Sequence, residues 1–449
     1  MSDDVKPDQA DRFTVIDDPV SILLRLEGTN LSLSEMLTEA LHAVRMHLGM
    51  DVAFISEFRG GSRVFRYLDG NFVPLQLAIG GSDPLEDSYC QRVLDGRLPE
   101  LIQDAALLPE ALAMPVTKAL PVGAHLSVPL RFSDGRLYGT FCCFSTTSDG
   151  TLNERDLNTL RLFAAFAGRL LERHALSEMR YAEIHSRIRS VLEERTYSVV
   201  YQPIIHLLEN RIVGYEALAR FSATPARTPD LWFAEAASVG LQAELEIALV
   251  EEALKGLAFL PDQTYMSLNV SPATVLTGSL AAALAHQPLD RLILEITEHV
   301  SIGDYEIVAN VLEPLREQGL RLAVDDAGAG FASFRHILKL KPDVIKLDGS
   351  LIRNIDSSTD CRALAAALIR FAEETGSKVV AECIETEAEL AVLRELKVNK
   401  AQGFLLGRPA PHHHTGFQRL RWIVHRPLRR DLARLRTCPA NRRRAPGTA

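Results

Sequence analysis

The sequence predicts an α/β protein in two parts. The C-terminal half reads as a TIM-type (β/α)8 barrel with one antiparallel strand, and a smaller α/β domain with an antiparallel sheet precedes it. Three observations lead there. From Thr196 onward, short apolar runs alternate with helical stretches over about 215 residues, the length and rhythm of a barrel. Several of those runs end on acidic or amide residues, as strands do at a barrel's functional mouth. The N-terminal half instead carries alternating runs joined by glycine turns, the pattern of hairpins.

Residues 1–30 form a polar lead-in that lacks the basic start and apolar stretch of a signal peptide. Ser32 and Glu35 have the spacing of a capping box, and Leu33, Leu37, Leu41, Val44 and Leu48 follow at helical steps. Asp51–Phe58 and Arg63–Leu68 read as strands around Arg59-Gly60-Gly61. Leu126, Val128, Leu130 and Phe132 alternate with His125, Ser127, Pro129 and Arg131, which places His125 on the polar, outward side. Asp134-Gly135 is the turn into a return strand over Leu137–Phe144. A helical period then runs from Leu157 through Leu160, Leu171, Ile184 and Ile188 to Val191. It is either one connecting helix, able to pair with a second copy, or the last helix of one domain followed by the first of the next.

In the barrel half, Tyr197–Ile204 and Arg211–Tyr215 are separated by too few residues for a crossover helix, so they pair antiparallel. Further strands fall at Tyr265–Leu268, Arg291–Leu294, Leu320–Val324, Val344–Ile345 and Lys378–Ala381. These runs lead into Glu216, Asn269, Glu295, Asp325-Asp326, Lys346 and Glu382. Only 58 of 449 residues are acidic, so four acidic strand ends are poorly explained as a solvated rim. Carboxylates brought together repel unless cations neutralise them. An all-oxygen donor set suits Mg²⁺ or Mn²⁺ rather than zinc, and two such ions suit in-line displacement at phosphorus. Lys346 would orient the water or offset phosphoryl charge.

Glu216-Ala217-Leu218 with Arg220 resembles the signature of EAL-domain cyclic-di-GMP phosphodiesterases. The likeness continues through Tyr201-Gln202-Pro203, Leu268–Pro272, Glu295-Ile296-Thr297-Glu298, Asp325-Asp326, Lys346-Leu347-Asp348, Ala381-Glu382 and Gln402-Gly403-Phe404, spanning roughly 196–410. The resemblance implies hydrolysis of cyclic-di-GMP to linear pGpG with two Mg²⁺ or Mn²⁺ ions. Glu216, Asn269, Glu295 and Asp325 match ligands of the first ion, and Asp325 with Asp326 those of the second. Glu382 matches a glutamate assigned either as ligand or as general base, and Lys346 the lysine touching the catalytic water. Gln202, Arg220, Asp348 and Gln402 match substrate-binding positions, while Glu298 and Glu385 match residues that steady the loops. Two departures stand out. Asp326–Phe334 carries Ala327 and Ala329 where the family has a ring and a hydroxyl, and Cys383 replaces a common glycine and is expected to be buried packing.

Residues 31–172 resemble a GAF domain, more loosely, on element order and on Asp87–Cys90, Val128-Pro129-Leu130 and Gly139-Thr140. That implies a sensor for a small-molecule or redox signal of unknown identity. Cys90 lacks the histidine that follows a bilin-attachment cysteine, and His125 reads as surface rather than as a haem ligand. The division is therefore lead-in 1–30, GAF-like domain 31–172, connecting helix 173–195, EAL domain 196–412 and basic tail 413–449, with a homodimer joined through the helix.

The charge of −9 divides unevenly: residues 411–449 hold ten Arg and one Asp, or +9, leaving −18 on the rest. Such a tail can attract nucleic acid or anionic membrane, but reads first as a frayed extension. His412–His414 fall in the same exposed stretch. No apolar run is long enough to span a membrane, and the six cysteines contain no CxxC, so a cytoplasmic protein with reduced thiols is expected. Two rival functions share these residues: a receptor that binds cyclic-di-GMP without cleaving it, and a scaffold dimerised through the GAF half. The complete ligand set favours catalysis over the receptor, and Arg220 and Gln402 argue against the scaffold.

Overall fold

The structure, a computed structural model, describes residues 19–72, 75–296, 305–327 and 333–411, and only the backbone of Asp326 and of residues 333–336. The expectations for Glu298, the Asp326 side chain, the loop after Ala327, His412–His414 and the basic tail lie outside the described residues. The chain divides into two units, Met1–Arg180 and Tyr181–Ala449.

The first unit is built on an antiparallel sheet. Its strands are β1 (Val52–Arg59), β2 (Ser62–Gly70), β3 (Ser82–Pro84), β4 (Leu101–Ile102), β5 (Ala124–Arg131) and β6 (Leu137–Ser145), in the order β3-β2-β1-β6-β5-β4. Residues 19–27, expected within the polar lead-in, form a helix α1 (Pro19–Glu27) that buries Leu23 and Leu26. The second helix, α2 (Leu33–Leu48), has the capping box expected of it. Ser32 Oγ accepts from the Glu35 N–H at 3.3 Å and Glu35 Oε2 from the Ser32 N–H at 2.8 Å, so two otherwise orphaned donors are satisfied. Its stripe of Leu37, Leu41 and Val44 packs on one sheet face with Ala53, Ile55, Phe141, Cys143 and Leu126. Leu157, Leu160 and Phe163 join the same core from a single 41-residue helix, Glu154–Glu194. Of the two sequence readings of this stretch, the continuous helix holds.

The other sheet face carries Val52, Phe54, Phe65, Cys142 and Phe144, and is covered by Cys90 from α3 (Tyr89–Leu94). Cys142 and Cys143 thus lie on opposite faces, as the two-residue period of a strand requires. Because this sheet is covered on both sides, the polar alternation in β5 does not mark an outer surface. His125 is 3% exposed, with its ring 4.8 Å from that of Tyr89, which corrects its surface assignment.

The second unit is a closed barrel in the order β10-β11-β12-β13-β14-β7-β8-β9. Its strands are β7 (Tyr197–His206), β8 (Arg211–Phe221), β9 (Tyr265–Asn269), β10 (Leu292–Ile296), β11 (Arg321–Ala327), β12 (Val344–Leu347), β13 (Lys378–Ala381) and β14 (Lys400–Ala401). As the short 207–210 link demands, β7 runs antiparallel to β8, and it also runs antiparallel to β14; the remaining pairs are parallel. Inside the barrel, Ile293, Ala323, Val344 and Val380 form an apolar layer. Two residues further along the same strands come Glu295, Asp325, Lys346 and Glu382. The strand period therefore stacks a charged layer directly on an apolar one.

The burial of His125 has a pH consequence. Burial, with help from the Arg63 charge, holds its imidazole down at about 3. The unfolded chain takes up a proton below about 6.5 and the folded chain does not, so stability falls as pH drops from about 6.5 toward 3. The first unit should lose about 1.4 kcal/mol from this group between pH 7.5 and 5.5. Urea unfolding of wild type and His125→Leu at both pH values measures it: the leucine variant should lack that increment, and equal losses would mean that the imidazole protonates in place.

Candidate active site in the barrel mouth

The charged layer centres on Lys346, which is 1% exposed. Its Nζ lies 2.7 Å from Glu295 Oε2, 2.8 Å from Glu382 Oε1, 3.2 Å from Asp325 Oδ1 and 3.4 Å from Glu216 Oε1. Register explains the convergence. Asn269 at the end of β9 pairs with Glu295 in β10, Glu295 pairs with Ala323 two residues before Asp325, and Glu382 follows β13 directly. Glu216 differs from the expectation of a strand end. It sits in the middle of β8, paired with Gln202 and Ser267, because the antiparallel β7 extends the ladder beyond it.

Glu216 is held from three sides. Asn269 Nδ2 donates to its Oε1 at 3.1 Å, Gln402 Nε2 donates to its Oε2, and Lys346 lies beyond. Gln402 Nε2 also donates to Gln202 Oε1 at 3.0 Å, and Gln202 Nε2 donates to Gly407 O at 3.0 Å. Both glutamines are buried, so one amide chain fixes the carboxylate. Gly403, next to Gln402, has a packing reason: a Cβ there would lie 2.2 Å from Ile384 N, so the loops after β13 and β14 could not close together.

One ammonium does not balance four carboxylates, three of them buried and Glu382 partly so. Burial pushes Glu295 far above the carboxylate range; Lys346 opposes this, but Glu216, Asp325 and Glu382 add to it. Burial likewise raises Glu382 to about 8, against Lys346 and with Asp325 and Glu216. For Glu216 burial is outweighed by Lys346, Gln402 and Asn269, and its carboxyl is lowered. Lys346 is raised, because the four carboxylates overcome its desolvation. Oxygens of Glu216, Glu295 and Asp325 lie within 4.8 Å of one another, a spacing that fits a cation.

The mouth is a cavity of about 210 Å³ whose lining includes Glu216, Asp325, Lys346, Glu382 and Gln402. A larger cavity of about 920 Å³ adjoins it across Leu218, with Arg220, Phe233, Glu246 and Asn269 in its wall.

Against this geometry, the EAL domain profile matches residues 185–409 and the GAF domain profile residues 30–172. The chain belongs to the EAL-domain family. It is 32% identical over 235 residues to the protein named probable cyclic di-GMP phosphodiesterase PdeA of Escherichia coli, covering 50% of this chain and 32% of that one. It is 29% identical over 236 residues to the bifunctional diguanylate cyclase/cyclic di-GMP phosphodiesterase MucR of Pseudomonas aeruginosa, covering 50% and 34%. The chain thus spans about a third of the length of these curated relatives. Among solved structures, it is similar in fold to the EAL enzyme Bd1971 in its cGMP-bound form. The TM-score is 0.51 at 18% identity, over 83% of this chain and 93% of that one. Among the described residues, no helix is long and apolar enough to cross a membrane.

Not every residue of the EAL signature joins the charged layer. Arg220, four residues along β8, is exposed in the larger cavity, with Nη1 donating to Ala219 O at 2.7 Å. Asp348 caps the short helix Gly349–Ile352, accepting from Ser350 N at 2.9 Å, and does not line the mouth. Glu385 lines the mouth but is exposed, and its N–H is tied to Glu389 Oε2 at 3.0 Å. Cys383 is also exposed rather than buried. It takes φ +54, the left-handed region in which the family's glycine sits without strain. Met266 and Trp232 are fully buried packing.

Phe404, named in the sequence only as part of the Gln402-Gly403-Phe404 motif, lines the mouth, and two contributors escaped the sequence reading. Arg353 lines the mouth beside it. Glu246, on the helix Gln242–Leu257, accepts from Ser271 N at 2.8 Å and Ser271 Oγ at 2.9 Å, pinning the turn that follows Asn269. A glutamate beside Leu245 and Leu249 on an otherwise buried helix face was its one sequence signal.

Replacing Lys346 by methionine removes the ammonium that all four carboxylates share. Lys346→Met should therefore destabilise the barrel by about 3–5 kcal/mol in the presence of a chelator, as removing one partner of a buried ion pair does. Urea unfolding in EDTA measures it; a loss below about 1 kcal/mol would show that the carboxylates are already neutral or hydrated.

Proposed function

We propose that this chain hydrolyses cyclic-di-GMP to linear pGpG in the barrel mouth, with the GAF domain as its regulatory part. The observation that carries the reading is the buried set of Glu216, Glu295, Asp325 and Glu382 around Lys346, within an EAL domain that retains Asn269, Gln202, Gln402 and Arg220. The donor set fits divalent cations: it is all oxygen, closely spaced, and more negative than Lys346 can offset. Glu216, Asn269, Glu295 and Asp325 would hold one Mg²⁺ or Mn²⁺, and Asp325 with Asp326 a second. When bound, the ions would supply charge neutralisation at the phosphodiester and a more acidic water.

The chain's own side chains account for positioning and proton movement. Glu382 Oε1 faces the mouth beside Lys346 Nζ. Ionised beside Lys346, Glu382 would either take the proton of the attacking water or complete the ligand set. Lys346 Nζ holds Glu295 and Glu382 in register and would donate toward the same water. The Gln202–Gln402 chain keeps Glu216 from rotating away. Arg220 lines the larger cavity, where its planar fork would suit the second phosphate of a dinucleotide. One P–O bond forms to the water oxygen and one breaks to the ribose oxygen, which leaves with a proton.

Chromatography of cyclic-di-GMP incubated with purified protein and Mn²⁺ or Mg²⁺ tests this. Wild type should form pGpG, and Glu216→Ala should lower the rate by at least about a hundredfold. Binding without turnover in wild type would replace the enzyme by a receptor.

A further inference from the structure

The GAF domain carries a buried polar cluster that the phosphodiesterase reading does not use. It lies on the sheet face under α3. Arg63 of β2 is 4% exposed. Its Nε donates to Asp83 Oδ1 at 2.9 Å, Nη2 also pairs with Asp83, and its guanidinium lies 4.7 Å from the Phe65 ring centroid and 5.7 Å from that of Phe54. Nη1 points the other way, to Cys90 Sγ at 3.4 Å. Cys90 Sγ in turn lies 3.7 Å from Cys142 Sγ, and Cys142 Sγ 3.1 Å from Ser127 Oγ. Neither cysteine is exposed. Burying a guanidinium is costly, and packing two thiols does not require one. A cation aimed at a sulfur with a second thiol in contact is the arrangement that makes one thiolate and leaves the other protonated.

We propose that Cys90 and Cys142 form a redox-active dithiol that is oxidised by a hydroperoxide to an intramolecular disulfide. Burial pushes both thiols up. For Cys90 the Cys142 hydrogen bond and the Arg63 charge outweigh burial and lower it, while Cys142 stays well above the ordinary value. Cys90 is then the nucleophile and Cys142 the resolving thiol. The Cys90 thiolate attacks one peroxide oxygen; the O–O bond breaks, Cys90 becomes a sulfenic acid, and the departing hydroxide takes a proton to form water. The Cys142 sulfur then attacks the sulfenic sulfur, an S–S bond forms, and the sulfenic oxygen leaves as a second water with the Cys142 proton. Two thiols lose two electrons and the peroxide gains them.

The sulfurs need to approach from 3.7 Å to about 2.05 Å. Cys90 sits on the two-turn helix α3, whereas Cys142 is fixed between β1 and β5, so the helix is the part that adjusts. Partly buried Phe58, Phe72, Leu75, Leu77 and Val122 pack against this cluster, so the oxidant that reaches it is small and uncharged. Cys143 is an internal control, since it lies on the opposite sheet face and burial raises its thiol.

The test uses the full chain and hydrogen peroxide, and it is independent of cyclic-di-GMP. Reduced protein is exposed to peroxide, free thiols are blocked, and tryptic peptides are mapped without reduction. Cys142 and Cys143 share one tryptic peptide, so Cys143→Ser is mapped alongside wild type. A Cys90–Cys142 bridge is expected in wild type and Cys143→Ser, reversed by dithiothreitol and absent from Cys90→Ser and Cys142→Ser. Arg63→Gln should slow its formation by about tenfold or more, since less thiolate is present. Should Cys90 and Cys142 remain fully alkylatable on denaturation while exposed Cys383 is oxidised, the proposal fails. It also fails if Cys90 proceeds to sulfinic acid without a bridge. The wild-type map decides even if a variant does not fold.

Discussion

The second unit is organised around an electrostatic imbalance: one buried ammonium, on Lys346, faces four carboxylates at the floor of the barrel mouth. Coulomb attraction in a poorly screened interior draws the carboxylates inward, but their mutual repulsion grows under the same conditions. The barrel supports this with rigid parts. Parallel register sets Asn269 beside Glu295, and the antiparallel β7 brings Gln202 opposite Glu216. The residual repulsion appears as raised carboxyls at Glu295 and Glu382, and a divalent cation is the economical way to relieve it. The proposed catalysis at phosphorus would use the same cation, so the charge that strains the fold is also what would make the site useful.

Much of this was legible in the chain. Apolar runs ending in acid fixed the barrel and most of its charged layer, because a strand that buries one residue inside the barrel must place the residue two further on at the mouth. Glu216 shows the limit of that reading: the run Arg211–Tyr215 ends there by hydropathy, yet the strand continues to Phe221 because hydrogen bonds to β7 persist. Arg353 and Glu246 were illegible for another reason. They reach the site or its supporting turn from helices and loops whose approach only tertiary packing determines. Cys383 was misjudged because exposure in a loop depends on how neighbouring segments pack, which the side chain's apolar character does not reveal.

The GAF unit repeats the lesson on a sheet. Alternation in β5 correctly gave its two faces but not which was wet. A sheet covered on both sides can hide its polar stripe, and here that stripe includes His125, Ser127 and Thr140, close to Arg63 and the Cys90–Cys142 pair. Polar groups are retained in such a place only when they satisfy one another or meet something else. Among the described residues His125 Nδ1 has no hydrogen-bond partner, and Arg63 holds a sulfur as well as a carboxylate. The two units thus share a device, a buried cation that sets the ionisation of the groups around it.

The most direct test of the central claim is to diffuse Mn²⁺ into crystals of the protein and locate it by anomalous diffraction at the manganese edge. The account predicts a peak among Glu216, Asn269, Glu295 and Asp325, with Lys346 displaced from at least one carboxylate. Peaks confined to other sites, with Lys346 still in contact with all four carboxylates, would show that the lysine alone satisfies the barrel mouth and that it is not a cation site.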